Sequence, residues 1–493
     1  MDLLSRISIP RLLYFTFYTI NFLIMWSLVF RKRERPEKVL GWLLVLMLLP
    51  PVGLVLYLYM GINWRDTRLN DKFSPAMSNL IDSSLERYEG PHEDIARQVS
   101  NTNASPLFEH NRIRLYKDGM EKFPDLLEDI KNAKHHIHLE YYIVRADGLG
   151  MQIFEALMER AKAGVKVRFI VDKIGGRTIN GKLRKDLKEA GIELVTFTAA
   201  FAFVSRFIDM SLNYRLHRKM VIIDGKIGYI GGNNIGDEYI SKGPMGYWRD
   251  THMRVEGDFV LGMQALFLED FYAVLHRNEE SKIWEYHKQR EIYEPEHNLQ
   301  QYFIRTEVTD ILPMQICYSG PESSLYSLEL LFLKMIATAK ERIFIFTPYF
   351  VPSDGTMSAL KAAIMSGVDV RIMFPAQYDH PIVQHASMTY LGDLLEVGAS
   401  LYLYDKSAFT HTKAMVCDGR TFTTGTTNFD VRSFFFNYEV NAVVYDEYYS
   451  AKMEGHFKLD MESAKEMTLE QYLKRPKSTF MKESFFRVFS LLF

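Results

Sequence analysis

The sequence predicts an α/β protein of two related halves, each a mostly parallel sheet flanked by helices, preceded by two transmembrane helices. Three observations carry this. Two long uncharged runs stand near the N-terminus, a strand–helix–strand pattern occurs twice in the remainder, and one His-x-Lys-x4-Asp spacing follows each copy. The 493 residues allow three domains at about 150 residues each. With 59 basic and 61 acidic side chains the net charge is −2, which argues against nucleic acid as a partner. The 47% hydrophobic and 24% charged content excludes bulk disorder. The two cysteines, Cys317 and Cys417, cannot build a disulfide framework or a cysteine-based zinc site.

The first run, Leu12 to Phe30, and the second, Val39 to Met60, each approach the 20 or so apolar residues that cross a bilayer. They are read as spans over about 12–30 and 39–60 in a membrane region 1–66. The alternative for the second is a re-entrant hairpin broken at Pro50 and Pro51. Trp26, Trp42, Tyr57, Tyr59 and Trp64 lie near the run ends, where amphipathic rings suit the interface. Five basic residues between Arg31 and Lys38 place that loop in the cytoplasm, although Arg6, Arg11, Arg65, Arg68 and Lys72 weaken the bias. Residues 67–108 are polar and read as a linker with one amphipathic helix. The globular part divides into 109–318 and 319–493, the second ending in an apolar tail, Phe485 to Phe493.

The repeat is explicit in the residues. Ala133 to Val144 and Ala339 to Val351 are strand-like runs entered from a helix, each followed by Asp-Gly and a helical stretch. Each helix ends at a glycine that opens a β-branched strand, Gly164-Val-Lys-Val and Gly367-Val-Asp-Val. Glycine suits a left-handed helix C-cap, and strand–helix–strand order implies parallel pairing.

His217, Lys219 and Asp224 form the first motif, and Gly231 to Asn234 follow it. His411, Lys413 and Asp418 form the second, with Gly425 to Asn428 at the same distance. Histidine and lysine two apart on a strand share one face. Halves related by a pseudo-two-fold axis would bring both histidines to one pocket, with Lys219, Lys413, Asn234 and Asn428 around a single phosphate. One neutral histidine can then attack phosphorus while the other, protonated, serves the leaving alkoxide. Asp250 and Glu439 are the candidates to fix the imidazole tautomers. Asp224 and Asp418 complete the candidate catalytic set, but each follows a strand and suits a turn or salt bridge better than substrate. His135, His136 and His138 read as core or surface histidines rather than a metal site.

At these residues the sequence resembles the phospholipase D superfamily, over roughly Arg112 to Glu447. Tyr214 to Lys219, Gly231 to Glu238 and Trp248 to His252 are similar to its bacterial cardiolipin synthases. The resemblance implies two phospholipase-D-like halves and a phosphatidyltransferase that joins two phosphatidylglycerol molecules into cardiolipin and glycerol. It also implies His217 as nucleophile, and a multi-pass protein of a bacterial cell membrane whose partners are membrane lipids. Thr426 stands where many relatives carry serine. No cofactor or metal is expected, because exchange of one phosphodiester for another is near thermoneutral and lysines supply the positive charge. A homo-oligomer is compatible with the sequence. The competing activities are a hydrolytic phospholipase D and a nucleic-acid phosphodiesterase, which the net charge and the two runs oppose.

Overall fold

The computed structural model describes residues 9–30, 36–57, 92–197, 214–280, 296–304, 307–321, 323 and 325–488. They divide into two compact units, an N-terminal helical one and the α/β remainder.

The N-terminal unit holds α1 (Ile9–Val29), α2 (Pro36–Leu48) and α3 (Pro50–Leu56). The second apolar run is therefore not one continuous helix. Pro50 opens α3 at its first turn, where a missing N–H costs nothing, and Leu49 leaves helical backbone at φ −129. The chain folds back so that the Trp42 and Tyr57 rings meet edge to face at 5.4 Å. Gly53 abuts the Val45 carbonyl with no room for a Cβ. α2 has 13 residues, about 20 Å at the helical rise, against a hydrocarbon core of about 30 Å. Among the described residues no helix is long and apolar enough to cross a membrane. Leu28, Leu46 and Tyr57 form this unit's core, and the Asn21 amide donates to the Leu46 carbonyl at 3.1 Å. Residues 31–35 of the basic loop lie outside the described residues, as do 58–91, 198–213 and the last five of the tail.

The α/β unit carries one continuous sheet. Its first half comprises β1 (Phe108–Asp118), β2 (His136–Tyr141), β3 (Lys166–Asp172), β4 (Glu193–Phe197), β5 (Lys219–Ile223), β6 (Ile227–Gly231) and β7 (Tyr247–Gly257). The second comprises β8 (Ile311–Ser319), β9 (Arg342–Phe346), β11 (Asp369–Pro375), β12 (Ser400–Tyr404), β13 (Ala408–Thr410), β14 (Ala414–Cys417), β15 (Thr421–Gly425), β17 (Glu439–Val444) and β18 (Ala464–Met467), while β10 (Phe350–Val351) and β16 (Phe429–Asp430) pair in a separate two-stranded sheet. The order β4-β3-β2-β5-β6-β7-β1 is mirrored by β12-β11-β9-β14-β15-β17-β8, and β1 meets β8 antiparallel at the pseudo-dyad. β18 extends the second edge.

The sheet is mixed, not mostly parallel. The expected βαβ pairs exist, β2–β3–β4 and β9–β11–β12. But each motif strand turns back on itself, so antiparallel hairpins fill the centre. The turns are Asp224-Gly225 and Asp418-Gly419, all four residues at positive φ between 53 and 65. That conformation is the two-residue turn whose twist matches a hairpin, and Asp-Gly is its favoured sequence.

Two differences concern boundaries. The helix Glu93–Asn103, assigned to the linker, packs Ile95, Ala96 and Val99 into the core of the second half. β8, expected to close the first half, begins the second because it pairs with β17. The motif strands read as unbroken apolar runs because both sheet faces are covered. Met220 and Ile222 enter a core shared by both halves, while Val221 and Ile223 enter a core that, apart from Phe409, belongs to the first half.

Candidate active site

Each histidine is fixed by the opposite half. Leu216 bridges to Tyr438, and the His217 N–H donates to the Tyr438 carbonyl at 2.9 Å. β13 pairs with β7, and the His411 N–H donates to the Arg249 carbonyl at 2.7 Å. The residue after each acceptor is a buried carboxylate. Glu439 Oε2 lies 2.9 Å from His217 Nδ1, and Asp250 Oδ2 lies 2.8 Å from His411 Nδ1. Each of the two carboxylates named from the sequence thus lies against a motif imidazole, and the pairing is crossed. An ionised carboxylate only accepts, so Nδ1 carries the proton and Nε2 keeps its lone pair.

The carboxylates are themselves held. Thr426 Oγ1 donates to Glu439 at 2.6 Å and Asn437 Nδ2 at 3.1 Å. The Thr251 N–H donates to Asp250 at 2.7 Å. Gly232, the counterpart of Thr426, has no space for a Cβ because the Asp250 carboxylate occupies it. Sequence reasoning noted Thr426 without this role and missed Asn437; a polar residue two before Glu439 was the available signal.

Lys219 Nζ donates to the His217 carbonyl at 2.6 Å, and Lys413 Nζ to the His411 carbonyl at 2.7 Å. The Asn234 side chain accepts from the Ile143 N–H and donates to Tyr239. The Asn428 side chain has no hydrogen bond among the described residues, and its Oδ1 is buried. His217, His411, Asn234, Asn428, Tyr142 and Trp248 line one cavity of about 630 Å³. That volume suits a small ligand or a lipid headgroup.

Burial shapes the electrostatics. It pushes the His217 imidazole down to about 4, against the pull of Glu439, so the ring is neutral at pH 7. Burial also lowers His411, but Asp250 and Asp379 oppose it. Lys219 falls to about 7 and Lys413 to about 8, burial again leading. Asp250 and Glu439 run the other way. Burial would raise each, but the facing imidazole, the neighbouring lysine and the hydrogen bonds each carboxylate accepts together outweigh it and hold both below the usual carboxylate range.

The motif aspartates lie elsewhere. Asp224 accepts from the N–H groups of Lys134, His135 and His136. Asp418 accepts from those of Lys340, Glu341 and Arg342. Each ties its hairpin turn to the start of the neighbouring strand, and neither lines the cavity. His136 and His138 are buried against Gln264, as core histidines. Among the described residues no group of three or more His, Cys, Asp or Glu could hold a metal ion.

The family profile described as "Cardiolipin synthase, PLD-like domain" matches residues 126–242 and 332–461. A second, "Phospholipase D-nuclease N-terminal", matches residues 19–61. The chain is 38% identical to "Major cardiolipin synthase ClsA" of Bacillus subtilis (strain 168), over 98% of this chain and 99% of that one. It is 35% identical to "Cardiolipin synthase 1" of Staphylococcus aureus (strain COL), over 96% and 95%. Among solved structures it shares the fold of a phosphatidylserine synthase from Haemophilus influenzae Rd KW20. The TM-score there is 0.61 at 13% identity, over 81% of this chain and 100% of that one.

Proposed function

The chain belongs to the phospholipase-D-like cardiolipin synthases, and from that premise we propose how its residues carry phosphatidyl transfer. The carrying observation is the pair of imidazoles in one cavity, each locked through Nδ1 by a carboxylate of the other half. His217 is the nucleophile, because burial keeps it neutral with Nε2 free. It attacks the phosphorus of phosphatidylglycerol, the P–O bond to glycerol breaks, and His411 gives its proton to the departing alkoxide. Burial and Lys413 lower the His411 pKa overall, and Asp250 and Asp379 pull the other way, toward the protonated form this step needs. The hydroxyl of a second phosphatidylglycerol then returns a proton to His411 as its oxygen displaces Nε2 of the phosphohistidine. Lys219 and Lys413 balance the phosphate charge, with the amides of Asn234 and Asn428 beside them. The N-terminal unit embeds in the bilayer through its exposed apolar side chains, among them Phe15, Phe22, Trp26 and Leu48. This makes the protein multi-pass if α1 and the broken second run both enter.

The test is purified full-length protein in phosphatidylglycerol vesicles with lipid products resolved. Cardiolipin with an equal yield of glycerol is expected. Phosphatidic acid as the sole product would reject the transfer reading.

A further inference from the structure

The catalytic residues match across the pseudo-dyad, but the cavity walls do not. The offset that carries His217 onto His411 carries Arg215 onto Phe409 and Glu238 onto Arg432. Local structure supports the second equivalence. Glu238 is the second residue of the short helix Asp237–Ile240, and Arg432 the second of the helix Val431–Phe435. Arg145 follows Val144, which bridges Ile235, and Val351 follows Phe350, which pairs with Phe429, so these two are equivalent as well. Arg145 faces Glu238 at 3.8 Å. Arg215 and Arg432 thus have no cationic counterpart in the opposite half, and both line the cavity.

Arg215 is 6% exposed, yet its guanidinium makes no hydrogen bond among the described residues. Among the described residues its ion pair is with Asp172 at 3.6 Å, beyond hydrogen-bond reach. The Asp172 oxygens already accept from the N–H groups of Ile174, Gly175 and Leu216. Burial leads in working against the charge on Arg432 and Arg215 adds to it, while Asp430 and Glu439 support it. Both guanidiniums face the cavity, Arg215 with no hydrogen-bonded acceptor among the described residues, and a planar fork suits a phosphodiester.

We propose that Arg215 and Arg432 form a second phosphate subsite, which takes the phosphodiester of the acceptor phospholipid. This rests on the synthase reading. On that reading the donor phosphate lies between the histidines, with Lys219 and Lys413 supplying its counter-charge. The acceptor brings a phosphodiester of its own, one glycerol away from the attacking hydroxyl. As that oxygen forms the new P–O bond, the P–Nε2 bond breaks and the hydroxyl proton passes to the second histidine. Water and glycerol, the competing acceptors, carry no charge for the arginines to hold. The subsite therefore selects an anionic lipid acceptor over both.

The test uses the full chain in phosphatidylglycerol vesicles supplied with radiolabelled glycerol. Cardiolipin reports the lipid acceptor. Label entering phosphatidylglycerol reports glycerol as acceptor on the same phosphatidyl-enzyme. Arg215→Gln and Arg432→Gln are each expected to lower the ratio of cardiolipin to glycerol exchange tenfold or more, and to raise the share of phosphatidic acid. Arg215→Lys, which keeps the charge and loses the fork, is expected between Arg215→Gln and wild type. Parallel loss of both products, or an unchanged ratio, would overturn the subsite while wild-type cardiolipin formation leaves the synthase reading standing. A wild-type chain that exchanges glycerol but makes no cardiolipin would overturn both.

Discussion

His217 and His411 do related work in unlike surroundings, and single substitutions should show it. His217→Ala and His411→Ala are each expected to abolish cardiolipin formation; full activity of either would exclude the two-histidine path. Glu439→Gln and Asp250→Asn keep shape but replace a pure acceptor with an amide, allowing the wrong tautomer. Each should lower kcat by about 10²–10⁴-fold. Because the pairing is crossed, phosphohistidine trapped by acid quench should fall in Glu439→Gln, whose partner is the attacking ring. In Asp250→Asn both its formation and its breakdown should slow, because the proton-transferring ring that Asp250 holds serves both steps. Acidity gives a third expectation. The lysines must be charged to receive a phosphate, and in the empty site they titrate at about 7 and about 8. Because kcat/KM reports the free enzyme, it should fall as pH rises through that window. It should not fall between about pH 7 and 5 on account of His217, which stays neutral down to about 4.

At the scale of elements, the motif hairpins separate structure from chemistry. Asp224 satisfies three backbone donors at a strand entrance, so Asp224→Ala should cost about 3 kcal/mol of stability. Thermal denaturation would reveal that loss, while phosphohistidine formation per folded molecule stays close to wild type. The histidine and lysine of each motif were legible from their spacing and repetition, although β5 begins only at Lys219 and β14 at Ala414, so each histidine stands just ahead of its strand. Asp250 and Glu439 were legible as carboxylates but not as a crossed pair. The crossing is set by Leu216–Tyr438 and β13–β7 contacts between segments more than 150 residues apart, which no local pattern encodes. The mixed sheet was missed for a related reason. The apolar run Met220–Ile223 looks the same in a parallel or an antiparallel strand when both faces are buried. The break in the second membrane run was visible at Pro50, yet its angle depends on Gly53 fitting against Val45.

At the scale of the molecule, burial of neutral histidines sets acid sensitivity. His136, His217 and His456 are all pushed down to about 4 by burial. The unfolded chain takes up these protons near pH 6.5, before the folded one does. Between about pH 6.5 and 4, stability should therefore decline as pH falls. A Tm series over that range would check it, and a flat series would show that these rings are not buried neutral in solution.

The crossed contacts also bear on concentration. A chain with one half alone would carry a histidine whose carboxylate belongs to another molecule. Such a site would assemble only by dimerisation and would weaken on dilution. Joining the halves in one polypeptide replaces that encounter with a fixed effective concentration. Turnover per molecule in dilute mixed micelles should accordingly stay constant down to the lowest protein level that can be assayed.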